Sequence, residues 1–193
     1  MKPRTPRSPS PAAPGGRAAA ALSVAALLGA ALLAAPSASA APAPRALAAD
    51  MVCPAGNQTV SFSPGVTLTP RSVSVSFHAA LGVCASLTQP QITSGSSSGN
   101  VTVTLDCLDL LSTTTGTQTF RWSDGQSSTL SFTRTVTNVN GQTVITLTGP
   151  VTAGLFTGRT AVFTVTEPAL DLTACQSPQG LTSQAGVTTL AIT

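Results

Sequence analysis

From Thr59 onward the chain alternates apolar and polar residues with a period of two and shows almost no helical period. Residues 73–77 read Val-Ser-Val-Ser-Phe, and residues 101–105 read Val-Thr-Val-Thr-Leu. Such alternation turns one face of a strand to a core and the other to water. In the first segment Val73, Val75 and Phe77 share one face, and Ser72, Ser74, Ser76 and His78 share the other. In the second, Cys107 continues the apolar face of Val101, Val103 and Leu105. Asp124-Gly125 and Asn140-Gly141 fall between such runs. Two-residue turns of this kind suit type I′ hairpins, whose central residues both need positive φ. The pattern predicts a meander over roughly 117–123, 127–137 and 143–148, with further strands at 59–63, 66–69, 72–84, 100–108, 160–166 and 187–192. Ser94–Gly99 reads as a Gly/Ser loop, and Pro168 as the end or bulge of a strand, because it cannot donate to a ladder.

About eight or nine short strands with turn signals every 8–12 residues predict an all-β fold, read as an immunoglobulin-like β-sandwich of antiparallel strands. No crossover helix is present to support a parallel α/β sheet. A domain of this size buries enough surface for one core.

The N-terminal region follows other rules. Residues 1–17 are rich in Pro, Ser and Arg, Ala18–Ala35 is an unbroken small-apolar run, and Ala38-Ser39-Ala40 follows. A basic start, an apolar centre and an A-x-A end predict a secretory signal peptide over 1–40, cleaved after Ala40. No cluster of Lys or Arg follows as a stop-transfer flank, so no stable membrane anchor is expected after cleavage. Residues 41–52, rich in Ala and Pro, read as a flexible lead-in, and 53–193 as a single secreted domain.

The four cysteines Cys53, Cys84, Cys107 and Cys175 all lie in the exported part and form no CxxC pair. An even number in an oxidising compartment predicts two disulfides. With a loop near Ser94–Gly99, the hairpin of 72–84 and 100–108 puts Cys84 close to the loop and Cys107 far from it. Bridged Cα atoms must lie within about 7 Å, which disfavours Cys84–Cys107. Cys53–Cys107 with Cys84–Cys175 is therefore favoured over Cys53–Cys175 with Cys84–Cys107.

Composition narrows the chemistry. Charged residues are 8% of the chain and aromatics 4%, with one His and no Tyr. The formal charge of +3 includes Lys2, Arg4, Arg7 and Arg17 of the signal; beyond residue 40, five Arg face six acids, a net −1. No basic patch remains for a nucleic acid backbone. General acid–base catalysis needs titratable groups in a cleft, and few exist. A Ser-His-Asp device would need His78 with Asp106, Asp109 or Asp171, yet alternation puts His78 on a polar face, and no nucleophile elbow is read in the chain. Asp106, Asp109, Glu167 and Asp171 match no calcium loop and no aromatic-lined glycosidase cleft. With a single His, away from the cysteines, no zinc site is expected. Trp122 shares a face with Phe120 by period two, which reads as core rather than a sugar platform. Asn57-Gln58-Thr59 and Asn100-Val101-Thr102 match the glycosylation triplet, a frequent chance match in a Thr-rich chain.

Three blocks carry a resemblance: Ser63–Arg71 (SPGVTLTPR), Trp122–Thr129 (WSDGQSST) and Val151–Gly158 (VTAGLFTG). They resemble a group of uncharacterised small secreted β-sandwich proteins of filamentous actinobacteria, over most of 53–193. The resemblance implies secretion and brings no site residues with it. The apoproteins of enediyne chromophores (the neocarzinostatin group) are a second comparison at the level of fold. They are secreted sandwiches with few charges, but their disulfides close short local loops, whereas the cysteines here are 31, 23 and 68 residues apart. The expected function is a secreted non-enzymatic module, structural or partner-binding, with no cofactor. Its partner would be an extracellular protein, a polysaccharide or a small apolar ligand. The alternatives are a carrier of a small apolar ligand and, more distantly, a secreted hydrolase. A deep apolar cleft is what separates the carrier from the others.

Overall fold

The structure is a computed structural model and describes residues 49–193. The export signal expected over 1–40, and the lead-in as far as residue 48, lie outside the described residues. Met51 and Val52, expected to close the lead-in, instead begin a strand, and Met51 is fully buried.

Eight strands follow in order: β1 (Met51–Val66), β2 (Arg71–Ser86), β3 (Gly95–Leu105), β4 (Thr114–Trp122), β5 (Ser127–Val139), β6 (Gln142–Gly154), β7 (Thr160–Pro168) and β8 (Leu181–Ile192). Each pairs antiparallel with the next, and β8 returns to pair with β1. The all-β, antiparallel expectation is met, but the sheet closes into a barrel where two packed sheets of an immunoglobulin-like sandwich were expected. Period-two alternation serves both architectures, so it does not distinguish them. Closure follows from long, coiled strands. β1 and β2 run for 16 residues each, and β1 carries register shifts near Val52–Gly56 against both neighbours. Such bulges raise the local twist and bend a strand around a barrel.

Every strand turns one set of residues inward. On β5 these are Ser128, Leu130, Phe132 and Arg134, while Thr129, Ser131, Thr133 and Thr135 face out. The outer wall is therefore rich in hydroxyls, the reverse of a membrane barrel with its apolar outer band.

One end of the barrel is filled. Phe120, Phe163, Leu190, Ile192 and Met51 pack there with Trp122, which is 4% exposed and so belongs to the core. The Trp122 ring stacks on Phe120 at 5.9 Å, and its Nε1 donates to Ser128 Oγ at 2.9 Å. The other end gathers the β1–β2 turn, the β3–β4 connection with its 3₁₀ turn (Asp109–Leu111), and the β7–β8 connection with a short helix α1 (Leu172–Gln176). A second, smaller cluster packs here around Phe62, Val66, Val73 and Leu181.

Several local expectations change. Asn140 (φ 52°) and Gly141 (φ 76°) form the expected tight turn. At Asp124-Gly125 only the glycine has positive φ, and Trp122 N–H donates to the Gln126 carbonyl at 2.8 Å. This is a three-residue loop ending in a left-handed glycine, rather than a two-residue type I′ turn. The Gly/Ser loop expected over Ser94–Gly99 is strand, since Gly95–Gly99 pair with Leu81–Phe77. Its glycines leave room for rings: a Cβ on Gly95 would lie 2.7 Å from the Trp122 indole, and one on Gly99 2.6 Å from the Phe77 ring. The strand expected at 66–69 is largely the β1–β2 turn, and β7 ends at Pro168 as expected.

The disulfides are Cys53–Cys84 and Cys107–Cys175, not the favoured Cys53–Cys107 and Cys84–Cys175. The favoured pairing assumed that Cys53 preceded the first strand. With β1 beginning at Met51, Cys53 lies beside Cys84 on the neighbouring β2, Cα atoms 4.1 Å apart. Cys107 then meets Cys175 of α1 at the opposite end of the barrel.

Candidate binding cavity

β3 and β4 pair only through Gly95–Trp122 and Ser96–Arg121, and beyond these residues the two strands separate. The lumen toward the open end holds a cavity of about 590 Å³. Its walls are mainly apolar, with Phe62, Phe77, Phe132 and Phe163 as the largest groups. Val101 lines it and is 50% exposed, and Val103 and Thr104 on β3 line it together with Thr114 and Thr115 on β4. The cavity therefore opens along the β3–β4 gap. A volume of this size is typical of sites that hold a small organic molecule.

Two glycines shape it. Phe77 lies over Gly99, and Phe132 lies over Gly116, where a Cβ would stand 2.9 Å from the ring. With no side chain on either glycine, both rings come closer to the backbone than a Cβ would allow.

Polar side chains interrupt the apolar lining, among them Arg134, Glu167, Gln184 and Gln118. Arg134, on β5, donates from Nη1 to the Ser112 carbonyl at 2.7 Å and from Nη2 to the Leu110 carbonyl at 2.5 Å. It thus ties the β3–β4 connection over the open end from within. Glu167, on β7, is 5% exposed and accepts from Gln184 Nε2 at 3.1 Å. Burial pushes its carboxyl above the ordinary carboxylate range, and the positive Arg134 acts against that shift. Burial likewise lowers Arg134, with Glu167 opposing. Gln118, on β4, is 8% exposed, and its Nε2 has no hydrogen-bond partner.

Most of the residues singled out from the sequence do other things. His78 is exposed on the outer wall, opposite Thr59 and Ser98. Arg71 begins β2 seven residues before His78, about 24 Å along the strand, and Asp106 lies beyond its partner Leu105. No Ser-His-Asp group assembles there. Asp106 Oδ1 accepts from the N–H groups of Leu108 and Asp109, and Asp109 Oδ2 from that of Asp106. Asp171 caps α1 by accepting from the N–H groups of Thr173 and Ala174. Asp124 accepts from the Gln126 N–H, and this bond lowers its pKa. These four carboxylates serve turns and caps; of the acids weighed, Glu167 and Asp109 line the cavity. A G-x-S-x-G spacing does occur at Gly95-Ser96-Ser97-Ser98-Gly99, but it lies in extended β3 with no strand-to-helix turn, and Ser97 is buried. Among the described residues no group of three His, Cys, Asp or Glu comes together.

Arg134 and Gln118 were missed by the sequence reading, although a signal existed. Gln118 is in phase with Phe120 and Trp122, Arg134 with Leu130 and Phe132, and Glu167 with Phe163 and Val165. A polar residue in the apolar phase of a strand either meets a partner inside or faces an internal space. No protein-family model, curated protein or solved structure matches the chain.

Proposed function

We propose that the protein is a secreted, non-enzymatic carrier that holds one small, mainly apolar molecule in the lumen of its barrel. The observation that carries this reading is the cavity of about 590 Å³, walled by aromatic and aliphatic side chains and open along the β3–β4 gap. Exposing that much apolar wall to water opposes folding, and a bound apolar molecule removes the cost. The reading rests on the cavity and not on a likeness to the enediyne apoproteins, whose sandwich architecture differs from this closed barrel. The placement of His78 on the outer wall, away from the cavity and from Asp106, supports binding over hydrolysis.

Secretion belongs to the same reading. Two disulfides suit an oxidising compartment. N-terminal sequencing of protein from culture medium should begin at Ala41, and a membrane-bound form that still begins at Met1 would contradict it. For the carrier itself, the test is titration with a neutral fluorescent probe, N-phenyl-1-naphthylamine. One saturable site is expected, with binding lost in Val103→Trp, which fills the lumen from a half-buried wall position. An absence of saturable binding, or binding indifferent to the filled lumen, would overturn the proposal.

A further inference from the structure

The filled end of the barrel packs its aromatic rings against one another. Phe120 pairs with Trp122 at 5.9 Å and with Phe163 at 5.4 Å, and Trp122 pairs with Phe156 at 6.3 Å. Phe77 and Phe132 differ from these. Both line the cavity and both are half-buried. Among the described residues, neither forms a ring pair with another aromatic side chain. The other two phenylalanines of the wall are closed in, Phe163 fully buried and Phe62 only 5% exposed. Phe77 and Phe132 are therefore the wall rings that keep surface for a guest.

Their positions are related. Phe77, on β2, is paired with Gly99 of β3, and Phe132, on β5, with Gly116 of β4. The tips of the two rings reach over those glycines: a Cβ on Gly99 would lie 2.6 Å from Phe77 Cε1, and one on Gly116 2.9 Å from Phe132 Cζ. Each ring thus leans from a neighbouring strand onto a strand that borders the opening. Both glycines lie where β3 and β4 no longer pair, about 10 Å past Ser96 and about 17 Å before Arg121 along their strands. A molecule that enters through the gap has Phe77 on one side and Phe132 on the other. Aromatic rings attract one another beyond the area they bury, by offset stacking or edge-to-face contact, and a saturated guest gains only from the area.

We infer that the occupant carries a fused aromatic ring system, which enters through the β3–β4 gap and comes to rest against both Phe77 and Phe132, the pair that sets a preference for aromatic over saturated guests. This inference rests on the carrier reading.

Naphthalene and decahydronaphthalene share one carbon skeleton and differ in aromaticity, so together they test it. Each is titrated against bound N-phenyl-1-naphthylamine, and the ratio of their dissociation constants is compared between the parent and its variants. Phe77→Leu and Phe132→Leu each keep an apolar side chain but remove a ring, and each should cut the relative preference for naphthalene about twofold to tenfold. Phe62→Leu removes a closed-in ring and should leave the ratio unchanged. In the parent itself, nuclear Overhauser contacts are expected from bound naphthalene to the ring protons of both Phe77 and Phe132, a readout that needs no variant to fold. A ratio unchanged in Phe77→Leu or in Phe132→Leu, an equal fall in Phe62→Leu, contacts missing from either ring, or failure of naphthalene to displace the bound probe overturns this inference and leaves the carrier reading standing. Failure of N-phenyl-1-naphthylamine itself to bind overturns both.

Discussion

Removing the Cys107–Cys175 bridge isolates what holds the open end together. The bridge joins the β3–β4 connection to α1, two segments with no strand pairing between them. Around it, Cys107 N–H donates to the Thr67 carbonyl at 2.9 Å and Leu68 N–H to the Cys175 carbonyl at 3.3 Å. Three connections therefore meet at one disulfide. The separation in sequence is 68 residues. In the chain-entropy treatment, a loop of that length restricts the unfolded chain by about 4.4 kcal/mol at 25 °C. A domain of this size loses about 3 °C of melting temperature per kcal/mol, so the double variant Cys107→Ala/Cys175→Ala should melt about 13 °C below the oxidised parent. The same treatment gives about 3.7 kcal/mol for Cys53–Cys84, whose separation is 31, hence a loss about 2 °C smaller. Differential scanning calorimetry of the parent and both double variants measures the two losses. A drop of less than about 4 °C for Cys107→Ala/Cys175→Ala, or a clearly larger drop for Cys53→Ala/Cys84→Ala, refutes loop restriction as the source of stability.

Three further outcomes are expected. Ser128→Ala strips the buried Trp122 Nε1 of its acceptor and the Leu155 carbonyl of its 2.6 Å donor, and urea unfolding should show a loss of about 1–3 kcal/mol; no loss would mean that the indole finds another partner. Glu167→Gln keeps an oxygen to accept from Gln184. Burial raises the native carboxyl above its ordinary 4.5, so below that value the native and unfolded chains both hold the proton and no penalty exists. As the pH rises the unfolded chain releases its proton first, and the parent becomes progressively less stable than the glutamine variant. Melting curves between about pH 4 and pH 8 should diverge in that sense, and parallel curves would contradict the burial argument. Gly116→Ala sets a Cβ 2.9 Å from the Phe132 ring and tilts the ring into the lumen, so N-phenyl-1-naphthylamine should bind more weakly to a protein that still folds; unchanged affinity would place the ligand elsewhere.

The strands were legible in the sequence because their signals are local. Val73–Phe77 and Val101–Leu105 alternate within five residues, Pro168 ends β7, and Asn140-Gly141 makes its turn from its own backbone preferences. The sequence by itself also determined that catalytic chemistry was scarce, since one His and a handful of acids bound what any fold can assemble. It did not determine that Gly95–Gly99 would be strand. Glycine reads as loop until the Phe77 and Trp122 rings that need its missing side chain are placed against it. Nor did it determine the disulfides, because pairing is a distance between elements, and the extension of β1 to Met51 alone brought Cys53 beside Cys84. Barrel against sandwich was beyond it for the same reason. Both use the same alternation, and the choice lies in whether β8 reaches β1, a pairing across more than a hundred residues of sequence. The cavity is a consequence of that closure. Gln118, Arg134 and Glu167 were each visible as polar residues in an apolar phase, but only a closed sheet that parts between β3 and β4 turns three such residues toward one shared space.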